Sequence, residues 1–394
     1  MSIAFEHSQG VAKRLFQQKQ RYFFIDAVRF VAVLFMIQGH VFDALLSPQV
    51  KALPWYYILD FFHGFVAPAF FFSSGFAYGL STIRQWDDQA SWGNATRRRI
   101  HRFLILIAVG YALHLPYFSL RKTMREAMPA EMDALFQSDA LQCVGVTLLL
   151  LQLAVLLIKK KHIFTSIVSI AAATIVLLSP IFWSVKFSDR LPLWLATYFN
   201  SQNSSWFPLF PWSAYILCGV LMGIAFANSR DHRQAASLMK RSILIGLGII
   251  VAAWLASRLP LDLFPAHDFW KANPSMFLIR VSVVSIFTSL VFLAEQSIAS
   301  MPKVPLIIGR ESLFIYILHL IIVYGSVFNR GLAQWIGPSL SLLQSTGMFV
   351  LVFTIIGLIT LLWHRWNSTN HAVSAYVKGA AAAVFVVEFV IRPW

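Results

Sequence analysis

Charge is what this chain has least of. Only 12% of its 394 residues are Asp, Glu, Lys or Arg, while 58% are hydrophobic and the mean hydropathy is +0.66. An ordinary soluble domain carries about twice that charge, so a soluble globule is excluded. Cysteine is almost as scarce. Cys143 and Cys218 both lie within apolar stretches, where they read as small buried side chains and not as a disulfide framework. No two histidines stand four apart as on a metal-binding helix, so no metal is expected. Residues 1–22 lack the short apolar region and small-residue site of a cleavable signal peptide. Acidic residues number 17 against 32 basic ones, a net charge of +15. The basic residues fall mostly between apolar segments, so membrane topology explains them and no nucleic-acid partner is expected.

What the chain does have is a series of apolar runs, each near the ~20 residues that cross a bilayer core. They fall at 23–46, 56–80, 101–119, 139–158, 163–183, 208–227, 242–258, 276–295, 306–328 and 344–364. A weaker one at 376–391 is Ala-rich, contains Lys378 and Glu388, and reads either as a span or as an interfacial helix. The expected fold is all-α, a polytopic transmembrane helix bundle of 10–11 spans. A cytoplasmic segment, 1–22, precedes a single integral membrane domain, 23–394. With the N-terminus inside, 19 of the 32 basic residues fall in inner segments, among them Arg97, Arg98, Arg99 and Arg102. That bias predicts a multi-pass protein of the inner, cytoplasmic membrane with a cytoplasmic N-terminus. The Arg97–Arg102 cluster also suits contact with donor phosphates or anionic lipid. Two outer loops are long. Residues 120–138 are amphipathic and suit a short surface helix. Residues 184–207 suit a sugar-facing surface, with Trp194, Tyr198 and Trp206 able to stack on sugar rings.

The first run, FFIDAVRFVAVLFMIQGHVFDAL, carries charges a plain anchor avoids: Asp26, Arg29, His40 and Asp43. Arg29 and His40 stand eleven residues apart, close to three helical turns and roughly 16 Å along the axis, so they share a face. By depth, His63 in the second run and His319 in the ninth join His40 in the outer half. Asp60 shares the face of His63, and Tyr316 lies one turn behind His319. On the inner side are Asp26, Arg29, Arg310, Glu311 and Glu295. These residues read as two layers. Cations near the cytoplasm receive an anionic donor, and imidazoles nearer the outside, with near-neutral pKa, move protons at an acceptor. Each residue also has a plainer reading. Asp26 with Arg29, Asp60 with His63, and Arg310 with Glu311 are candidate ion pairs that only fix packing. His101, His162, His232 and His364 sit beside basic loops as interfacial residues.

The segment IDAVRFVAVLFMIQGHVFDAL followed by FFHGFVAPAFFFSSGFAYGL resembles the opening of the multi-span membrane acyltransferases. That superfamily takes in the heparan-alpha-glucosaminide N-acetyltransferase-like proteins and the bacterial envelope-glycan O-acyltransferases. DALQCVGVTLLL, FPLFPWSAYILCGVLMG, NPSMFLIR and GRESLFIYILHLIIVYG resemble the first branch, in the same order over most of residues 22–328. The resemblance implies an acyl-CoA donor, acetyl-CoA first, on the cytoplasmic side and a glycan or sugar acceptor beyond it. The motif Arg and His fall on Arg29 and His40. Two features depart from the pattern. Phe30 stands where a Gly usually follows the Arg, and the loop SPQVKALPWYY holds no His, which points to His40 instead.

The expected activity is O- or N-acyl transfer. His40, Asp43, His63 and Asp60 form the catalytic group, with Asp43 or Asp60 orienting His40. Arg29, Asp26, Arg310, Glu311 and His319 form the donor-binding group. Membrane lipid is a partner, and a homo-oligomer is compatible with the sequence. The rival is a transporter of a small anionic or sugar-like solute, since intramembrane Asp, Arg and His also build solute pathways; the lack of repeated halves weighs against it. A structural membrane protein is the third reading.

Overall fold

The computed structural model describes residues 22–259, 263–297 and 302–392. It is all-α apart from one two-residue hairpin pair. The long helices are α1 Phe23–Leu45, α2 Pro54–His63, α3 Val66–Arg84, α4 Asn94–Leu113, α5 Ala140–Ile158, α6 Lys161–Ser184, α7 Leu209–Ala227, α8 His232–Ala256, α9 Pro274–Glu295, α10 Lys303–Arg310, α11 Ser312–Val323, α12 Leu342–Thr369 and α13 His371–Ile391. Among the described residues nine helices are long and apolar enough to cross a membrane, with Pro54–Arg84 counted as one, or ten if the bent pair α10 and α11 forms one span. The lipid-facing character is visible on the surface. Leu244 and Leu247 of α8, and Leu358 and Leu362 of α12, are all more than half exposed. Such faces are stable only in an apolar solvent. The chain is therefore an integral, multi-pass membrane protein.

Three expectations are corrected. The run 306–328 is not one straight span: α10 and α11 meet at a 76° bend, at Arg310–Glu311–Ser312. The run 101–119 is shifted toward its basic end, as α4 begins at Asn94 and stops at Leu113. Tyr198 is buried at 8% exposure, so it is not a sugar-stacking surface residue, while Trp194 and Trp206 are exposed. The loop holding it is packed: Asn200 Nδ2 donates to the carbonyls of Phe182 and Val185, at 2.9 and 2.6 Å. Segment 120–138 does form surface helices, Leu120–Glu126 and Pro129–Phe136. The 376–391 run forms most of α13, which is long and apolar enough to span.

The described residues fall into two compact units. The first takes those up to Val28, then Ala67–Gly110 and Gln137 onward to 297. Its centre is the crossing of α3 and α7. A Cβ on Gly75 or Gly79 would run into the carbonyl oxygens of Ile216 and Val220. One on Gly219 or Gly223 would run into those of Phe72 and Phe76. Four glycines at two i, i+4 spacings thus bring two backbones together, as small residues do where no hydrophobic effect drives helices together. Around them pack Phe71, Tyr78, Phe103, Phe164, Trp212, Tyr215 and Phe277. Part of the heavy phenylalanine content is spent at the start of α1, where the Phe24 ring lies 5.2–5.7 Å from those of Phe76, Phe226 and Phe292.

Arg99 of the basic cluster turns inward. Its Nη1 donates to Thr82 Oγ1 at 2.8 Å and Gln152 Oε1 at 3.3 Å, its Nη2 to Ser81 Oγ at 3.1 Å, and it covers the Tyr78 ring. Arg97, Arg98 and Arg102 stay exposed. Glu295 at the end of α9 accepts the Phe24 N–H at 3.0 Å. It caps an orphan amide of the first turn of α1 from a residue 271 positions away. Replacing Glu295 with alanine is expected to cost about 1 kcal/mol, read as a lower thermal midpoint of the purified protein.

The second unit takes Arg29–Val66, Tyr111–Phe136 and Pro302 onward to 392. Here the part of α1 from Arg29 onward, α2 and α10–α13 come together. Ser47 N–H donates to the Leu340 carbonyl at 2.9 Å and Leu340 N–H to that of Leu45 at 2.8 Å, tying the end of α1 to the segment before α12.

Candidate active site

The C-terminal part of α1 presents Gln38, Gly39, His40 and Asp43 within two turns. Their neighbours lie within the second unit: His63 for Gln38 and Gly39, and Tyr324 for His40 and Asp43. Gly39 lies flat against the His63 imidazole, which a Cβ there would meet at 3.4 Å, and His63 Nε2 lies 2.6 Å from Gln38 Oε1. His63 closes α2, which ends at Gly64.

His40, half-buried, meets His319 of α11 edge to face, with ring centroids 5.0 Å apart and planes at 80°. On another side the Tyr324 ring stands at 5.5 Å. His319 is fully buried. Its Nδ1 lies 2.9 Å from the Ile315 carbonyl. A carbonyl only accepts, so Nδ1 carries the proton and a neutral ring keeps its lone pair on Nε2. That Nε2 is buried and has no hydrogen-bond partner among the described residues. The Tyr316 ring flanks it at 5.5 Å.

Asp43 does not stand alone beyond His40. Its carboxylate takes the Tyr324 hydroxyl and, at 3.3 Å, Lys51 Nζ, which also donates to its carbonyl at 2.5 Å. The turn after α1, with its helix Pro48–Lys51, folds Lys51 back to make this possible.

Of the sequence-derived candidates, His40, His319 and Asp43 therefore gather with Tyr316 at one place, and His63 lies against the preceding residues of α1. Asp60 is exposed, three residues before His63 on α2. Arg29 is half-buried on α1, and Asp26, 5% exposed, belongs to the first unit. Arg310 and Glu311 stand at the 76° bend, where Glu311 Oε1 lies 2.8 Å from His364 Nδ1. His364 is thus the partner of Glu311.

Sequence reading missed Tyr324, Gln38, Lys51 and the pairing of His364. Only Lys51 carried a signal, as the one cation in the loop directly after α1. Among the described residues no group of three or more His, Cys, Asp or Glu side chains is placed to hold a metal.

The fold and site define a class first: an all-α, multi-pass membrane protein with imidazoles, phenols and a carboxylate gathered at the C-terminal half of α1. Residues 21–256 match the family model described as heparan-alpha-glucosaminide N-acetyltransferase, catalytic. That is about three fifths of the chain, and the chain belongs to this family of membrane acetyltransferases. No curated protein matches it. The match contains His40, Asp43, Asp60 and His63, while Arg310, Glu311, His319 and Tyr324 lie beyond it.

Proposed function

We propose that the protein moves an acetyl group from acetyl-CoA at the cytoplasmic side to a hydroxyl or amine of a cell-envelope glycan beyond the membrane. The N-terminus lies inside, and the membrane is the inner one. The observation that carries this reading is the His40 imidazole, set against His319 and Tyr324 on the helix that opens the family match.

In this reading His40 takes the proton from the acceptor O–H or N–H as that atom attacks the thioester carbonyl. The C–S bond then breaks and CoA leaves as a thiolate that collects a proton. A two-step route, in which His40 first carries the acyl group, uses the same atoms. His319, with its bare Nε2, keeps the neighbourhood of His40 able to accept a proton. Asp43 and Tyr324 fix the outer wall. Within the second unit, Arg29 and Arg310 bind phosphate or pantetheine polar groups of the donor, with Glu311 beside Arg310 at the bend. His63 and Asp60 line the acceptor's approach.

The test uses the full chain in nanodiscs with acetyl-CoA, following free thiol. Release is expected, and is accelerated by at least one of a panel of sugars. Absence of any CoA binding would sink the reading. One observation favours the rival: the bent span α10–α11 is the kind of broken helix from which transporters build solute sites. CoA-independent solute flux in liposomes, with no thiol release, would establish that rival instead.

A further inference from the structure

Within the first unit the acyl-transfer reading leaves one buried cation without a role. Arg280 lies seven residues into α9 and is 8% exposed. Its Nη1 donates to the Trp270 carbonyl at 2.5 Å, and it hydrogen-bonds the hydroxyl of Tyr215, which lies seven residues into α7. No carboxylate pairs with Arg280 among the described residues, and its Nε–H has no partner. A guanidinium at membrane depth without an anion is costly, because neither a carbonyl nor a phenol neutralises its charge.

The surroundings repeat the pattern. A guanidinium only donates, so the Tyr215 oxygen accepts from Arg280 and its own hydrogen remains to be given elsewhere. Trp212 packs on Tyr215 with ring centroids 5.7 Å apart. It is 6% exposed, and its indole N–H is likewise without a partner. Arg280 Nε, Trp212 Nε1 and the Tyr215 hydroxyl are thus three buried donors around one ring, and they include the only formal charge there. Donors alone select an acceptor, and a positive charge selects an anionic one. The Nε edge of a guanidinium also suits two oxygens of a carboxylate or phosphate. The neighbouring Trp270 is about half exposed, which puts the group next to the surface of its unit.

We propose that Arg280, Tyr215 and Trp212 form a binding site for a single oxyanion, the carboxylate or phosphate of a soluble acidic sugar or of an anionic lipid headgroup. The proposal does not depend on acyl transfer, and its test reads binding only. The thermal midpoint of the purified full chain is followed against glucuronate and against inorganic phosphate, with ionic strength held by chloride. It is followed again in nanodiscs of phosphatidylglycerol against phosphatidylcholine. A saturable rise is expected in the soluble arms if the source is a free sugar, or in the lipid arm alone if it is a headgroup.

Arg280→Gln should weaken the response about tenfold or more, the factor expected for loss of a charged hydrogen-bond partner. No saturable rise in any arm, or an equal rise in wild type and Arg280→Gln, overturns the site. Should Arg280→Gln fail to fold, the decision passes to Trp212→Phe and Tyr215→Phe. Each keeps an aromatic side chain and deletes one donor, and unchanged affinity in both overturns the proposal as well.

Discussion

His40→Ala is expected to lower acetyl transfer by about 10²–10⁴-fold, the range that a positioned general acid–base group supplies, while leaving the thermal midpoint nearly in place. That factor corresponds to roughly 3–5 kcal/mol of barrier at 1.36 kcal/mol per tenfold. The separation of activity from stability follows from geometry. His40 is half-buried, with its ring edge to face against those of His319 and Tyr324, so its truncation opens a smaller void than the loss of a fully buried side chain. His319 is different: it is fully buried and bonded to its own helix. His319→Ala should therefore lose activity and stability together. Tyr324→Phe keeps the ring and removes only the hydroxyl that Asp43 holds, and should produce a smaller loss. Turnover and unfolding measured on the same preparations decide the matter. Normal turnover in His40→Ala would remove His40 from the mechanism and leave the family assignment intact.

Gly219→Val is expected to prevent the first unit from assembling. Its Cβ would enter the space of the Phe72 carbonyl oxygen, and Gly223, Gly75 and Gly79 repeat that closeness along the same crossing. Because both sides of the contact are backbone, neither helix can yield by a side-chain rotation. Overpacking ordinarily costs about 1–3 kcal/mol, and a forced separation of α3 and α7 belongs at or above the upper end. The folded yield on size exclusion should collapse. A control sits one helix away. Gly248 of α8 has nothing within 4 Å of an added Cβ, so Gly248→Ala should be neutral or stabilise by up to about 1 kcal/mol. Equal behaviour of the two variants would show that the α3–α7 crossing is looser than described.

Most of the spans are legible in the sequence because a bilayer demands about 20 apolar residues and almost nothing else does. Their polar interruptions are legible for the same reason, and Arg29 and His40 stand out against the apolar run that carries them. The bend at Arg310–Glu311 is not legible, because KVPLIIGR runs into SLFIYILHLIIV without losing apolar character. The meeting of His40 with His319 depends on tertiary packing between residues far apart in the chain, which no local pattern encodes. The same holds for Glu311 with His364. Gly75–Gly79 and Gly219–Gly223 do carry a local signature, the spacing of four, and it marks the tightest packing in the first unit. Arg280 reads in the sequence only as one more intramembrane charge. Its significance comes from what surrounds it, which is a property of α7 and α9 together.

The carboxylate that closes the first turn of α1 has a consequence for how the protein is made. Glu295 emerges 271 residues after Phe24, a delay of roughly 15–55 s at about 5–20 residues per second. Through that interval α1 must sit in the membrane with its first amides turned to water or lipid headgroups, held only by neighbours already made. A chain released before residue 295 would insert its opening helix yet never latch it. Such fragments should be cleared by membrane proteases far faster than chains that extend past α9.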